Sequence, residues 1–146
     1  MADTMNDAEM GEQRTEPSPD LKTLGRLVGT WAMSGDVGGT VTYEWMEGGF
    51  FLIQHINLEQ ADGHRTTGME IIGHLHAYNQ APSPEIWSRY YSGTGETLDY
   101  VYELEGDTLT IWFGGRESPA YYRATFSSDG TTLNGAWHYP GGGGYT

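Results

Sequence analysis

The chain has 146 residues, a formal net charge of −13 and no cysteine. One domain of that length buries a core without covalent staples, and the missing thiols exclude a disulfide framework, thiolate metal sites and a cysteine nucleophile. The acidic balance argues against a nucleic-acid surface, which needs clustered Lys and Arg, and no apolar run approaches membrane-spanning length.

The first segment, "MADTMNDAEMGEQRTEPSPD", sets six acidic residues against Arg14 alone. With almost no large apolar side chains it cannot offset its ordering entropy, so residues 1–19 are expected to form a disordered acidic tail. It has neither a basic n-region nor an apolar h-region, and a cytoplasmic location is the expectation. The folded domain is then expected over 20–146. In "DLKTLGRLVGTW", Leu21, Leu24, Leu27 and Val28 recur at helical spacing, with Asp20 as a cap and Gly29 as a stop.

Beyond that one short helix the pattern is strands and turns. The 22 glycines cluster in "SGDVGG", "EGG", "ADG", "SGTG", "EGD" and "SSDG", between runs rich in Thr, Tyr, Trp, Ile and Val. Strands are expected at 30–35, 40–46, 50–59, 66–78, 85–92, 98–104, 108–114, 120–127 and 132–138. Short connections make neighbours antiparallel, and the expected fold is all-β: an up-and-down antiparallel barrel of about nine or ten strands. Closure removes edge strands and leaves room for an internal ligand. A sandwich is the alternative.

Several stretches carry a family resemblance. "LVGTW" (Leu27–Trp31) directly after a helix, "YEWMEGGFFL" (Tyr43–Leu52), "EIIG" (Glu70–Gly73) and "FSSDGTTLNGAW" (Phe126–Trp137) occur in one order. Together they resemble the bacterial DUF1579 family, lipocalin-like (calycin-type) barrels of uncharacterised function. The resemblance spans about residues 20–138 and implies a fold rather than an activity. The chain departs from that family after "IIG", where it has "HLHAYNQAPSP", and at "PGGGGYT", where the family continues into a final strand; a truncated or very short last strand is expected. Haem-binding barrels of nitrobindin type are similar in architecture. "GTWAMSGDVGG" lacks the Tyr-Pro ending of their glycine signature, and His138 is the one candidate for their proximal ligand.

Residues i and i+2 of a strand share a face. That groups Trp87, Arg89 and Tyr91, then Leu98, Tyr100, Tyr102 and Leu104, then Tyr121, Arg123 and Thr125. An Arg–Tyr pair facing inward offers a guanidinium fork and a phenol to a carboxylate or enolate, whereas the same pair facing outward is an ordinary solvated wall. His55 lies mid-strand beside Phe51 and Ile53, as a hydrogen-bonded core residue or as a lumen group. The candidate ligand-binding residues are therefore His55, Arg89, Tyr91, Tyr102, Tyr121 and Arg123.

His74 and His76 form an H-x-H pair, and the spacing from Gly68 matches the opening of a cupin motif. The expected glutamate is missing, with Asn79 and Gln80 in its region, and so is the second half. A tight metal site needs a further ligand, for which His55 or Glu70 are the candidates. No metal and no cofactor is expected. Carboxylates occur on strands at Glu44, Glu70, Glu85, Asp99 and Glu103, with no acid–base pair by spacing alone. No G-x-S-x-G elbow, phosphate loop or H-E-x-x-H occurs. The expected function is binding of a small apolar or amphipathic molecule in the barrel, with a cofactor-independent isomerase or cyclase as the alternative and haem binding behind both. The expected partner is a small-molecule ligand, without nucleic acid or membrane; a homodimer is compatible with exposed aromatics.

Overall fold

A computed structural model describes residues 16–141 of the chain. Residues 1–15 of the expected acidic tail, and the end of the chain from 142, lie outside the described residues. The packed domain begins slightly before Asp20: Ser18 is buried, and Glu16 pairs with Lys22 at 3.2 Å.

The expected helix forms as two short pieces, α1 (Pro19–Thr23) and a 3₁₀ turn (Leu24–Leu27). Leu21, Leu24 and Leu27 recur every third residue, which suits the three-residue period of a 3₁₀ turn, and all three are buried. Ser18, not Asp20, is the N-cap, and Pro19 occupies the first turn, where its missing N–H costs no helical bond. Val28 already has extended geometry and is exposed, so it leaves the apolar stripe.

Nine strands follow: β1 (Gly29–Ala32), β2 (Val37–Trp45), β3 (Leu52–Gln60), β4 (Arg65–His74), β5 (Ile86–Ser92), β6 (Thr97–Glu105), β7 (Thr108–Phe113), β8 (Tyr121–Phe126) and β9 (Leu133–His138). They pair in chain order β1 to β9, each antiparallel to its neighbour. The fold is all-β, an up-and-down sheet curled into a barrel with one short N-terminal helix. Among the described residues no ladder joins β1 to β9. Side chains bring distant strands together instead. Trp31 of β1 meets Phe126 of β8 with ring centroids 6.0 Å apart, and Tyr100 of β6 meets Trp137 of β9 at 6.0 Å.

Strand β4 stops at His74, short of the expected 78. The Leu75–Ser83 segment closes on itself as a loop, with the Ser83 amide bonded to the Leu75 carbonyl at 2.7 Å and Asn79 in the left-handed region at φ 61°. No helix among the described residues is long and apolar enough to cross a membrane.

Alternation sorts the two faces. Val41 and Tyr43 of β2, Leu52 and Gln54 of β3, Glu70 and Ile72 of β4, Ile86 and Ser88 of β5, Tyr102 of β6, Leu109 and Ile111 of β7, and Ala124 and Phe126 of β8 point inward and are buried. The helical leucines pack into the same cluster. They cover one end of the barrel, the end that holds the β2–β3, β4–β5, β6–β7 and β8–β9 turns. Arg26 fixes that position by donating to the Gly106 carbonyl at 3.1 Å and Asp107 at 3.0 Å, its guanidinium 4.2 Å from the centre of the Phe126 ring.

Candidate functional site

Inward-facing side chains lose their cover in steps away from the helix. On β3, Leu52 is 0% exposed and Gln54 8%, while Ile56 and Leu58 are half-buried. On β4, Ile72 and Glu70 are buried, but Gly68 and Thr66 are half-buried. On β5 the order is Ile86, Ser88, then half-buried Tyr90 and Ser92; on β7 it is Leu109, Ile111, then Phe113 at 43% exposure. One end of the barrel is therefore covered by the helix, while the inward side chains at the opposite end, its mouth, are half-buried to exposed.

An aromatic wall lines part of that mouth. Trp137 contacts Tyr122 at 5.7 Å between centroids and Tyr100 at 6.0 Å, and it stacks on Tyr139 at 6.1 Å; Tyr100 also meets Phe113 edge-on at 5.8 Å. Across the lumen, Tyr90 lies flat against β4. The alpha carbon of Gly68 makes this possible, since a Cβ there would fall 2.5 Å from the Tyr90 ring.

Between plug and mouth lies a polar layer. The Glu70 carboxylate accepts hydrogen bonds from the Ser88 hydroxyl at 2.5 Å and the Tyr102 hydroxyl at 2.7 Å, both on Oε2. The Gln54 amide donates to the Tyr43 hydroxyl at 2.9 Å. Register brings these groups together: Tyr43 pairs with Gln54 and Gln54 with Glu70 across β2–β3–β4, and the slant of β5 and β6 delivers Ser88 and Tyr102.

Burial pushes the Glu70 carboxyl above its ordinary range, and the two hydroxyl donors offset part of that rise. Burial likewise raises the Tyr102 and Tyr43 phenols, with the nearby Glu70 charge adding to both, so they stay neutral. No fully buried side-chain nitrogen or oxygen of the described residues lacks a partner. Oε1 takes no hydrogen bond among those residues. A carboxyl so placed can accept a hydrogen bond from a guest, or donate and accept a proton.

Of the six residues singled out from the sequence, the interior receives Tyr102 alone. Arg89 projects from the outer face and grips Asp99 with Nε at 2.7 Å and Nη2 at 3.2 Å, which holds the Asp99 carboxyl below its ordinary range. Tyr91 is exposed on the same face. Arg123 lies 4.7 Å over the Tyr121 ring and donates to Thr110 at 3.2 Å, while Tyr121 stacks on His138 at 4.9 Å. His55 also points out, to Glu44 at 2.8 Å. The two Arg–Tyr faces are thus solvated wall, and His138 stands outside the lumen.

Ser88 and Gln54 are not singled out by the sequence, and Glu70 only as a strand carboxylate and a candidate metal ligand. A signal existed for Gln54, because Leu52, Ile56 and Leu58 share its face and flank it with apolar residues on both sides. His74 and His76 part company at the strand end. His74 is a clasp for α1, with Nε2 3.0 Å from the Ser18 hydroxyl and 3.2 Å from Asp20 and Nδ1 2.7 Å from the Ser83 carbonyl, whereas His76 is exposed in the loop. Among the described residues no three His, Cys, Asp or Glu side chains converge in a manner that would hold a metal ion.

No family model matches the chain. A relaxin-like protein, SQ10 of Oryctolagus cuniculus, is 37% identical over 59 residues, 40% of this chain. The stretch covers 29% of that protein, so the chain spans less than a third of its relative's length, a similarity too partial to show a family.

Proposed function

We propose that the protein binds a small apolar or amphipathic molecule, which enters the open end of the barrel and settles its apolar body against the Tyr100–Trp137 wall. The observation that carries this reading is the stepwise loss of cover along β3, β4, β5 and β7, from buried residues at the plug to half-exposed ones at the mouth. Ligand sites are concave, mostly apolar and furnished with a few convergent polar groups. The Glu70–Ser88–Tyr102 layer is such a group. The resemblance to the DUF1579 barrels supports the architecture in this proposal and brings no activity with it. A cytoplasmic location belongs to the same reading, on the cysteine-free composition.

One observation favours the second reading, a cofactor-independent isomerase or cyclase. Glu70 is a buried carboxyl whose pKa burial raises above its ordinary value, the direction in which a general acid is tuned.

Binding is tested with N-phenyl-1-naphthylamine, an uncharged dye that brightens in apolar surroundings. Wild-type protein is expected to enhance its fluorescence saturably, and the Tyr100→Ala/Trp137→Ala double variant to weaken binding by about tenfold with its circular dichroism unchanged. Absence of enhancement, or enhancement equal in the variant, overturns the proposal.

A further inference from the structure

Resting on the interior-binding reading above, we infer that the preferred guest is an organic monocation: an amine whose ammonium group donates to Oε1 of Glu70 while its apolar or aromatic body occupies the mouth.

The argument starts from where the charges are. The described residues include six basic side chains, and every one is exposed: Lys22, Arg26, Arg65, Arg89, Arg116 and Arg123. Each is already engaged on the outside, in order with Glu16, Asp107, Asn57, Asp99, Glu103 and Thr110. None of these six points inward, so a carboxylate or phosphate guest would meet none of the described basic side chains there. It would meet Glu70, at 6% exposure the one carboxylate among the buried residues of the described chain. Setting an anion against a buried acid with no described cation beside it is unfavourable, which disfavours the anionic ligands that an Arg–Tyr pair would have suited.

Among the described residues Glu70 has no counter-charge. Its two partners among them are hydroxyls, both on Oε2, and Oε1 takes no hydrogen bond there. A buried carboxylate with neutral donors on one oxygen is completed by a charge-assisted donor on the other. The path to it favours the same chemistry. Trp137, Tyr100, Tyr122 and Tyr139 present ring faces and edges at the mouth, and an ammonium is attracted to such rings where an anion is not. The chain carries −13 overall, so its long-range field draws cations in and repels anions.

The test is competition against bound N-phenyl-1-naphthylamine by three compounds of like shape: 2-phenylethylamine, 2-phenylethanol and 3-phenylpropionate. The amine is expected to displace the dye at concentrations about tenfold to a hundredfold below the alcohol, with the carboxylate weakest, as a hydrogen bond to a charged group implies. In Glu70→Gln the dye still binds and the amine falls level with the alcohol. Wild type that ranks the alcohol or the carboxylate equal to the amine overturns the inference, and that ranking needs no variant to fold. An amine preference that survives in Glu70→Gln overturns it too, by placing the selectivity elsewhere. In both cases dye binding itself stands, whereas failure of the dye to bind wild type removes the interior-binding reading and this inference with it.

Discussion

Replacing Glu70 by Gln makes stability depend on pH in a way that isolates one side chain. The carboxyl has an ordinary value of 4.5, and burial raises it in the folded chain. Between the unfolded and folded values the native state therefore holds a proton that the unfolded state has lost. Stability falls with rising pH across that window, and the loss is absent below it. Gln at 70 resembles the protonated acid: it keeps an oxygen for the Ser88 and Tyr102 hydroxyls and carries no charge. Near pH 4 the two proteins are expected to agree within about 1 kcal/mol, since only neutral hydrogen bonds are exchanged. As pH rises, the variant gains on wild type by about 1.4 kcal/mol per pH unit, until the folded carboxyl ionises and the difference levels off. Urea unfolding followed by tryptophan fluorescence, at intervals from about pH 4 to pH 8, reads this directly, because all other titrating groups cancel in the difference. A difference that stays flat, or shrinks as pH rises, would refute the account of Glu70 as a desolvated carboxyl.

Tyr102→Phe removes the 2.7 Å bond to Glu70 while keeping the ring; a loss of about 1.5–3 kcal/mol is expected near pH 8 and a smaller one near pH 4, by the same urea titration. Gly39→Ala forces a side chain onto φ +97°, with its Cβ 2.2 Å from the Asn57 carbonyl oxygen. More than about 2 kcal/mol of stability is expected to go, so a melting temperature within a degree of wild type would contradict the close approach of β2 and β3. His74→Ala opens the clasp on α1; about 2 kcal/mol is expected to be lost, with faster amide exchange at Leu21, Leu24 and Leu27 than on β6. Arg89→Gln combined with Tyr91→Ala alters only the outer wall, and dye affinity is expected to stay at the wild-type value.

The nine strands could be read because Gly and Asp turns punctuate a continuous meander, and each strand needs only local information. The faces were harder. On β5 the outward row is Trp87, Arg89 and Tyr91, richer in recognition chemistry than the inward row of Ile86, Ser88 and Tyr90. The outer wall has an apolar patch of its own, where Val101 is 0% exposed and sits in register between Trp87 and Trp112, so aromatic content does not distinguish inside from outside. On β3 the pairing of Ile53 with Phe51 made the His55 face look interior, although Leu52, Ile56 and Leu58 mark the other one. Glu70 is visible as a strand carboxylate, but its setting is not. Its partners sit 18 and 32 residues away on two other strands, and only the register of β4, β5 and β6 brings them within reach. No single strand contains that information.

The meander also orders the events by which the chain folds. Among the described residues every ladder joins strands adjacent in sequence, so the sheet can grow one hairpin at a time, each closing only a short loop. The helix is different. Arg26 meets Gly106 and Asp107 80 and 81 residues away, and Ser18 meets His74 56 residues away. Those contacts presuppose a sheet that is already curled. Docking of the N-terminal leucines is then the closing step, and substitutions at Leu21 or Leu24 are expected to speed unfolding far more than they slow folding.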